Sequence, residues 1–214
     1  MIIGTIEYNG WKATTNLFGS TYQDISAFWW GFGVSSNATT VYTVYDGTWG
    51  RISTDYGHTW YDTTPTAGAP RSSMVDMSGD GTKLVLCCGN GYPGVAAPQS
   101  KGFIYTGIPV GGTNVTWTPT TATYDTRATV AISADGSTIA SVVTAGPAVF
   151  TTGATLDISK DNGRTWWSVT LPGVSINADK VAMSSNGRII YVSCQGTDAG
   201  ASGGNIFKVV LTYY

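Results

Sequence analysis

One octapeptide pattern occurs twice in this chain, 106 residues apart, and it sets the terms for the fold. Ser53-Thr-Asp55-Tyr-Gly57-His-Thr59-Trp60 and Ser159-Lys-Asp161-Asn-Gly163-Arg-Thr165-Trp166 both read S-x-D-x-G-x-T-W. Trp117 lies between them, after Asn114, and Trp11 lies before them, after Asn9-Gly10. The steps from one of these tryptophans to the next are 49, 57 and 49 residues, and counting from Trp166 through the end of the chain back to Trp11 gives 59. Four units of about 53 residues therefore account for the sequence, a period that belongs to propeller blades.

A second marker keeps the same phase. Each unit carries a Ser-x-Asp/Asn turn: Ser35-Ser-Asn37-Ala38, Ser78-Gly-Asp80-Gly81, Ser133-Ala-Asp135-Gly136 and Ser184-Ser-Asn186-Gly187. Asp-Gly and Asn-Gly tolerate positive φ and are the strongest short-range hairpin signals. The flanking runs, such as Met74–Met77 with Lys83–Leu86, alternate as half-buried strands do. No 3.6-residue periodicity intervenes. The expected fold is all-β: one domain, a four-bladed β-propeller of four-stranded antiparallel blades. The blades are expected at 24–64, 72–120, 129–171, and 180–214 plus 1–15. In that layout the segment around Trp11 supplies the outer strand of the last blade, beside 207–211, and removes its open edge.

The octapeptide resembles the Asp-box, or BNR repeat, of sialidase-like β-propellers, with two full copies and worn ones at Asn9-Gly10 and Asn114. The resemblance implies a structural turn between the third and fourth strands of a blade. Asp55 and Asp161 would hold turn N–H groups, Gly57 and Gly163 would supply positive φ, and Trp60 and Trp166 would wedge between blades. It also invites a sialidase reading. That family needs three arginines, a Tyr–Glu nucleophile pair and an acid/base Asp on a six-bladed frame. This chain has one glutamate, Glu7, and one histidine, His58, which lies inside a box. There is no Gly-rich phosphate loop, no Ser-His-Asp set and no Cys/His cluster. The expectation is therefore a protein with no catalytic residues, no metal and no cofactor. A small glycosidase working through Asp125, Asp179 or Asp198 is the enzymatic alternative.

Charge narrows the partners. Charged residues make up 11% of the chain and the net charge is −2, against about 25% charged in an ordinary domain. With no basic run, nucleic acid is not an expected partner. No apolar stretch is long enough for a bilayer-spanning helix, and the first residues lack the form of a secretory signal. Cys87, Cys88 and Cys194 have no metal-type spacing. Adjacent Cys87 and Cys88 on a strand would face opposite ways, and all three read as small buried hydrophobes.

With the strands of a blade lettered A (innermost) to D (outermost), B–C and D–A loops share one face of a propeller and A–B and C–D turns the other. The long irregular segments (63–71, 89–101, 120–127, 144–153 and 195–204) all fall on the first face, where function tends to sit. Arg71 and Arg127 both precede an inner strand, in neighbouring blades, and could clamp an anion or acidic sugar. Asn177 or Lys180 and Trp29 take the equivalent place in the other two units. Trp49, Tyr92 and Tyr124 are candidate stacking platforms. The expected function is a structural or recognition module on a virion (tail, fibre or capsid decoration), its partner a glycan or another virion protein. A secreted lectin-like propeller is the alternative. Homo-oligomerisation into a larger ring stays open.

Overall fold

The computed structural model describes residues 5–8, 11–14, 29–45, 50–63, 72–88, 103–122, 127–143, 155–172, 176–196 and 204–212. Four antiparallel sheets follow one another in chain order, and the protein is an all-β, four-bladed propeller with no helix among the described residues. A hairpin of β1 (Thr5–Tyr8) and β2 (Trp11–Thr14) comes first. Blade one is β3 (Trp29–Val34), β4 (Val41–Tyr45), β5 (Gly50–Ser53) and β6 (Tyr61–Thr63). Blade two is β7 (Ser72–Met77), β8 (Leu84–Cys88), β9 (Phe103–Val110) and β10 (Asn114–Pro119). Blade three is β11 (Arg127–Ile132), β12 (Ile139–Val143), β13 (Thr155–Ser159) and β14 (Trp167–Thr170). Blade four is β15 (Ile176–Met183), β16 (Ile189–Gly196) and β17 (Asn205–Val210).

The expected closing strand is the one element that pairs differently. β2 pairs with β1, Tyr8 opposite Trp11, and among the described residues β17 has β16 as its strand partner. The physical reason is local. Asn9-Gly10, read from the repeat phase as a worn box, is also the dipeptide that most favours a two-residue hairpin. A hairpin closes with almost no loop entropy, whereas pairing with β17 would join opposite ends of the chain.

Strand alternation builds the core between blades. Tyr42, Val44 and Ile52 of blade one meet Val75, Leu84, Leu86 and Trp117 of blade two. The other face of blade two, through Val85, Cys87 and Ile104, meets Val130, Ile132 and Ile139 of blade three. Leu156 and Ile158 of blade three meet Val181, Ile190 and Val192 of blade four. Cys87 and Cys88 do face opposite ways, and all three cysteines are free and buried. Each fully buried aliphatic or aromatic side chain contributes roughly 1.5–3 kcal/mol, against about 1 kcal/mol net for a hydrogen bond. Apolar burial therefore holds the blades together. The turns decide how they line up.

Those turns are four copies of one device. The serine hydroxyl donates to the Asp or Asn oxygen two residues on, at 2.9, 2.7, 2.5 and 2.8 Å for Ser35, Ser78, Ser133 and Ser184. It accepts the N–H five residues on, from Thr40, Lys83, Thr138 and Ile189, at 2.9–3.0 Å. The fourth turn position has positive φ: Ala38 at 60°, Gly81 at 75°, Gly136 at 70° and Gly187 at 69°. Neighbouring turns are also stitched together. The Ser36 N–H donates to Gly79 C=O (2.7 Å), the Gly79 N–H to Ala134 C=O (2.8 Å) and the Ala134 N–H to Ser185 C=O (2.8 Å).

At their other ends the inner strands share a feature the sequence reading missed. Every A–B pair has a register shift near the start of the inner strand, between Trp29 and Gly31, Ser72 and Met74, Arg127 and Thr129, and Ala178 and Lys180. In blades one and three a hydroxyl of the second strand donates to the carbonyl just past this bulge, Thr43 to Gly31 and Ser141 to Thr129, each at 3.1 Å. In blades two and four the equivalent positions are Leu86 and Val192.

Two outcomes test the turn device by chemical denaturation. Ser133→Ala leaves the buried Thr138 N–H without its acceptor and should cost about 1–3 kcal/mol, more than Ser184→Ala at the half-buried counterpart. Ala38→Gly should stabilise by about 0.5–1 kcal/mol, because alanine at φ 60° sits in the left-handed region that glycine enters freely.

Candidate functional site

The turn face is built from the hairpin turns and the two octapeptides. Both octapeptides fold into the same turn. Ser53 Oγ donates to Asp55 Oδ1 at 2.8 Å and accepts the Gly57 N–H at 2.8 Å. Asp55 accepts the Thr59 N–H at 2.8 Å on Oδ1 and the Thr59 hydroxyl at 2.6 Å on Oδ2. The Ser159, Asp161, Gly163 and Thr165 bonds repeat these four distances. Gly57 and Gly163 both have φ 84°, and Tyr56 and Asn162 before them are also left-handed. The indole N–H of Trp60 donates to Gly57 C=O, and that of Trp166 to Gly163 C=O. Each turn leans on its own blade's A–B turn, through the Tyr56 N–H to Thr39 C=O and the Asn162 N–H to Ser137 C=O.

This arrangement consumes the carboxylates. The Thr59 hydroxyl and N–H hold Asp55 down to about 2, and the Thr165 hydroxyl and N–H do the same for Asp161, because each bond favours the ionised form. Both oxygens of each carboxylate are engaged within the turn, so the geometry suits a structural role. Trp166 packs against the cluster between blades two and three. Trp117, without an octapeptide, is buried over Gly107 and meets Tyr42 edge-on, ring centroids 5.5 Å apart at 72°. A methyl group on Gly107 would lie 2.6 Å from the Trp117 ring, so the two residues are matched. His58 is exposed in its turn, and Glu7 sits opposite Lys12 in the hairpin.

The loop-bearing face is framed by the four bulged strand starts. Bulges re-aim a strand and are common at barrel rims and beside binding sites. Arg127 opens β11, at the bulge of blade three. Arg71, Trp49, Tyr92 and Tyr124 lie outside the described residues, as do Asp125 and Asp198. Asp179 falls at the bulge of β15, and Lys180 beside it is exposed. Asp76 of β7 accepts the Met77 N–H at 2.8 Å and, across the blade boundary, the Ile132 N–H at 2.9 Å. Burial outweighs those two bonds and raises its carboxyl above the ordinary value. Asp76 thus ties the inner strands of blades two and three. On the turn face, a shallow hollow between blades three and four is lined by Asp135, Asn186 and Arg188. Among the described residues no three His, Cys, Asp or Glu side chains gather as metal ligands would.

No family model and no curated protein matches this chain. Its similarity is to solved structures, and it lies in the propeller fold. The Niastella koreensis GH74 enzyme matches 85% of this chain with a TM-score of 0.56 and 20% identity. YCF48 from Cyanidioschyzon merolae matches 90% with a TM-score of 0.60 and 15% identity. The Dos1 propeller matches 79% with a TM-score of 0.54 and 11% identity. The match covers 28%, 53% and 43% of those chains, less than two thirds of each.

The octapeptide turns predict a defined pH response. The folded-state value of Asp161 lies below the ordinary 3.8, at about 2, so its contribution is complete above the ordinary value and is lost as pH falls towards 2. Asp161→Ala should lower the melting temperature at neutral pH. The difference from the unmodified protein should shrink between about pH 4 and about pH 2, and thermal melts across that range would show it.

Proposed function

We propose that the protein is a non-catalytic structural and recognition propeller, borne on a virion as a tail, fibre or capsid decoration, which binds a host-surface glycan or a neighbouring virion protein through its loop-bearing face. One observation carries this reading: the turn face is committed to its own hydrogen bonds, while four bulged strand starts frame the opposite face. A scaffold satisfied on one side and carrying long loops on the other suits recognition. The octapeptide turns are read as Asp-boxes of the structural kind, their carboxylates engaged internally. The non-catalytic half of the reading rests on the inventory, a single glutamate and a single histidine, the histidine inside an octapeptide turn. The likeness to the GH74 enzyme is one of fold and transfers no catalytic residue. A hydroxyl-rich surface with 11% charged residues is in keeping with a virion exterior.

On this reading Arg71, just before the inner strand of blade two, and Arg127, at the start of that of blade three, clamp an anionic group on the ligand. Trp49, Tyr92 and Tyr124 stack on sugar faces. Glycan arrays and competition for adsorption to host cells test it. The Arg71→Ala/Arg127→Ala pair should weaken binding by about tenfold or more with an unchanged melting temperature. Binding that survives the double change would remove the arginine clamp. Turnover of chromogenic glycosides would overturn the non-catalytic reading.

A further inference from the structure

The junction between blade four and blade one differs from the other three. The inner strands β3, β7, β11 and β15 lie side by side in succession, and no comparable contact joins β15 back to β3. The chain of turn bonds stops at the same place. Among the described residues, Ser185 N–H has no acceptor and Ser36 C=O no donor, although their equivalents are bonded in every other junction. On both sides of this junction apolar side chains are exposed.

The repeat identifies what each open residue should touch. Phe32 of β3 is equivalent to Val130 of β11, yet it is 71% exposed where Val130 is 5% exposed. Val34 stands where buried Ile132 stands in blade three. On the far side of blade four, Ile206 is equivalent to Ile104 and is 75% exposed against 1%. Tyr191 is equivalent to buried Val85 and is half exposed. The chain thus displays the two complementary halves of its own blade two–blade three junction, one half at each end.

We propose that a second copy of this chain fills both surfaces, blade four of each copy docking on blade one of the other to make a two-fold, eight-bladed ring. Three considerations select this occupant. The free donor at Ser185 and the free acceptor at Ser36 are the two ends of one bond, and a copy supplies each where the other needs it. Blades one and three carry the full octapeptides and the hydroxyl that caps the bulge, whereas blades two and four do not. Blade four against blade one of a partner therefore preserves the alternation that blades two and three display. Finally, propellers span about four to eight blades, and two is the only number of copies above one that stays within that range. Lys180 and Ser193 replace Met74 and Cys87 of the internal junction, which makes the contact more polar and suits reversible association. On blade one the outer part of the face is already covered, Thr43 and Arg51 being buried, so the contact there centres on the inner strand.

Sedimentation across a concentration series decides the matter. The expected species has twice the 22.5 kDa chain mass. Phe32→Asp or Ile206→Asp alone should raise the dissociation constant by about 100-fold or more, as loss of a central apolar anchor does. Both side chains are exposed in the single chain, so melting of the dissociated variants should be unchanged, and this separates lost association from lost folding. An equimolar mixture of the two variants should partly regain the dimer, because one of its two junctions is then free of both substitutions. A single-chain mass at every concentration, a trimer or open-ended polymers, or a dimer indifferent to both substitutions would overturn the proposal.

Discussion

The structure depends on a serine hydroxyl that does two things at once. In each A–B turn it donates to the Asp or Asn side chain and accepts a backbone N–H five residues on. A hydroxyl can do both because it carries one proton and two lone pairs. With its polar groups closed off internally, the turn presents one free N–H and one free C=O along the blade-to-blade direction, and these form the bonds between neighbouring turns. Loss of the serine would leave a buried N–H unpaired and would also loosen the part that sets the spacing of the inner strands. A residue worth about 1 kcal/mol in isolation therefore controls how several apolar clusters come together.

Division of labour between the faces follows. On the turn face the hairpin and octapeptide turns bond within their own or the adjacent blade, so the surface is polar with few charges. The Asp55 and Asp161 carboxylates are charged, but their charge is spent on Thr59 and Thr165 rather than offered to solvent partners. The strand ends opposite carry bulges, which interrupt the ladder where the loops leave. Changing a loop there costs the scaffold little, since the bonds that register the blades are at the far ends of the same strands.

What could be read in the sequence was whatever short-range chemistry determines. Ser-x-Asp-Gly and S-x-D-x-G-x-T-W encode their turns completely within eight residues, so blade number is legible from spacing alone. The bulges were invisible because Trp30, Ser73, Ala128 and Asp179 have nothing in common as residue types. A bulge of this kind is set by register against the neighbouring strand, which no local pattern records. Trp11 was misassigned for the converse reason: its spacing matched the repeat, but Asn9-Gly10 promotes a local hairpin, and the local pairing prevails. For the candidate site, positions relative to strand starts are legible in the sequence. It could not give side-chain geometry on long segments that lack periodicity.

The 106-residue spacing of the two octapeptides points to a structural unit of two blades rather than one. Cys88 and Cys194 are equivalent under that shift, as are Leu86 and Val192, and Arg51 and Asp157. The last pair shows the physical sense of the alternation. Arg51 bonds Asp62 across β5 and β6 at 2.7 Å, and Asp157 accepts from Ser168 across β13 and β14 at 2.5 Å. Blades one and three thus each bury one polar residue at this position, Arg51 and Asp157, and tie it to an exposed partner on the outer strand, with the residue types changed and the pairing kept. A buried charge is tolerated only with a partner in reach, so such a pair must be conserved as a unit within the repeat. The two-blade unit, with a buried polar tie in one blade and aliphatic packing at the same position in the next, is therefore the element that repeats.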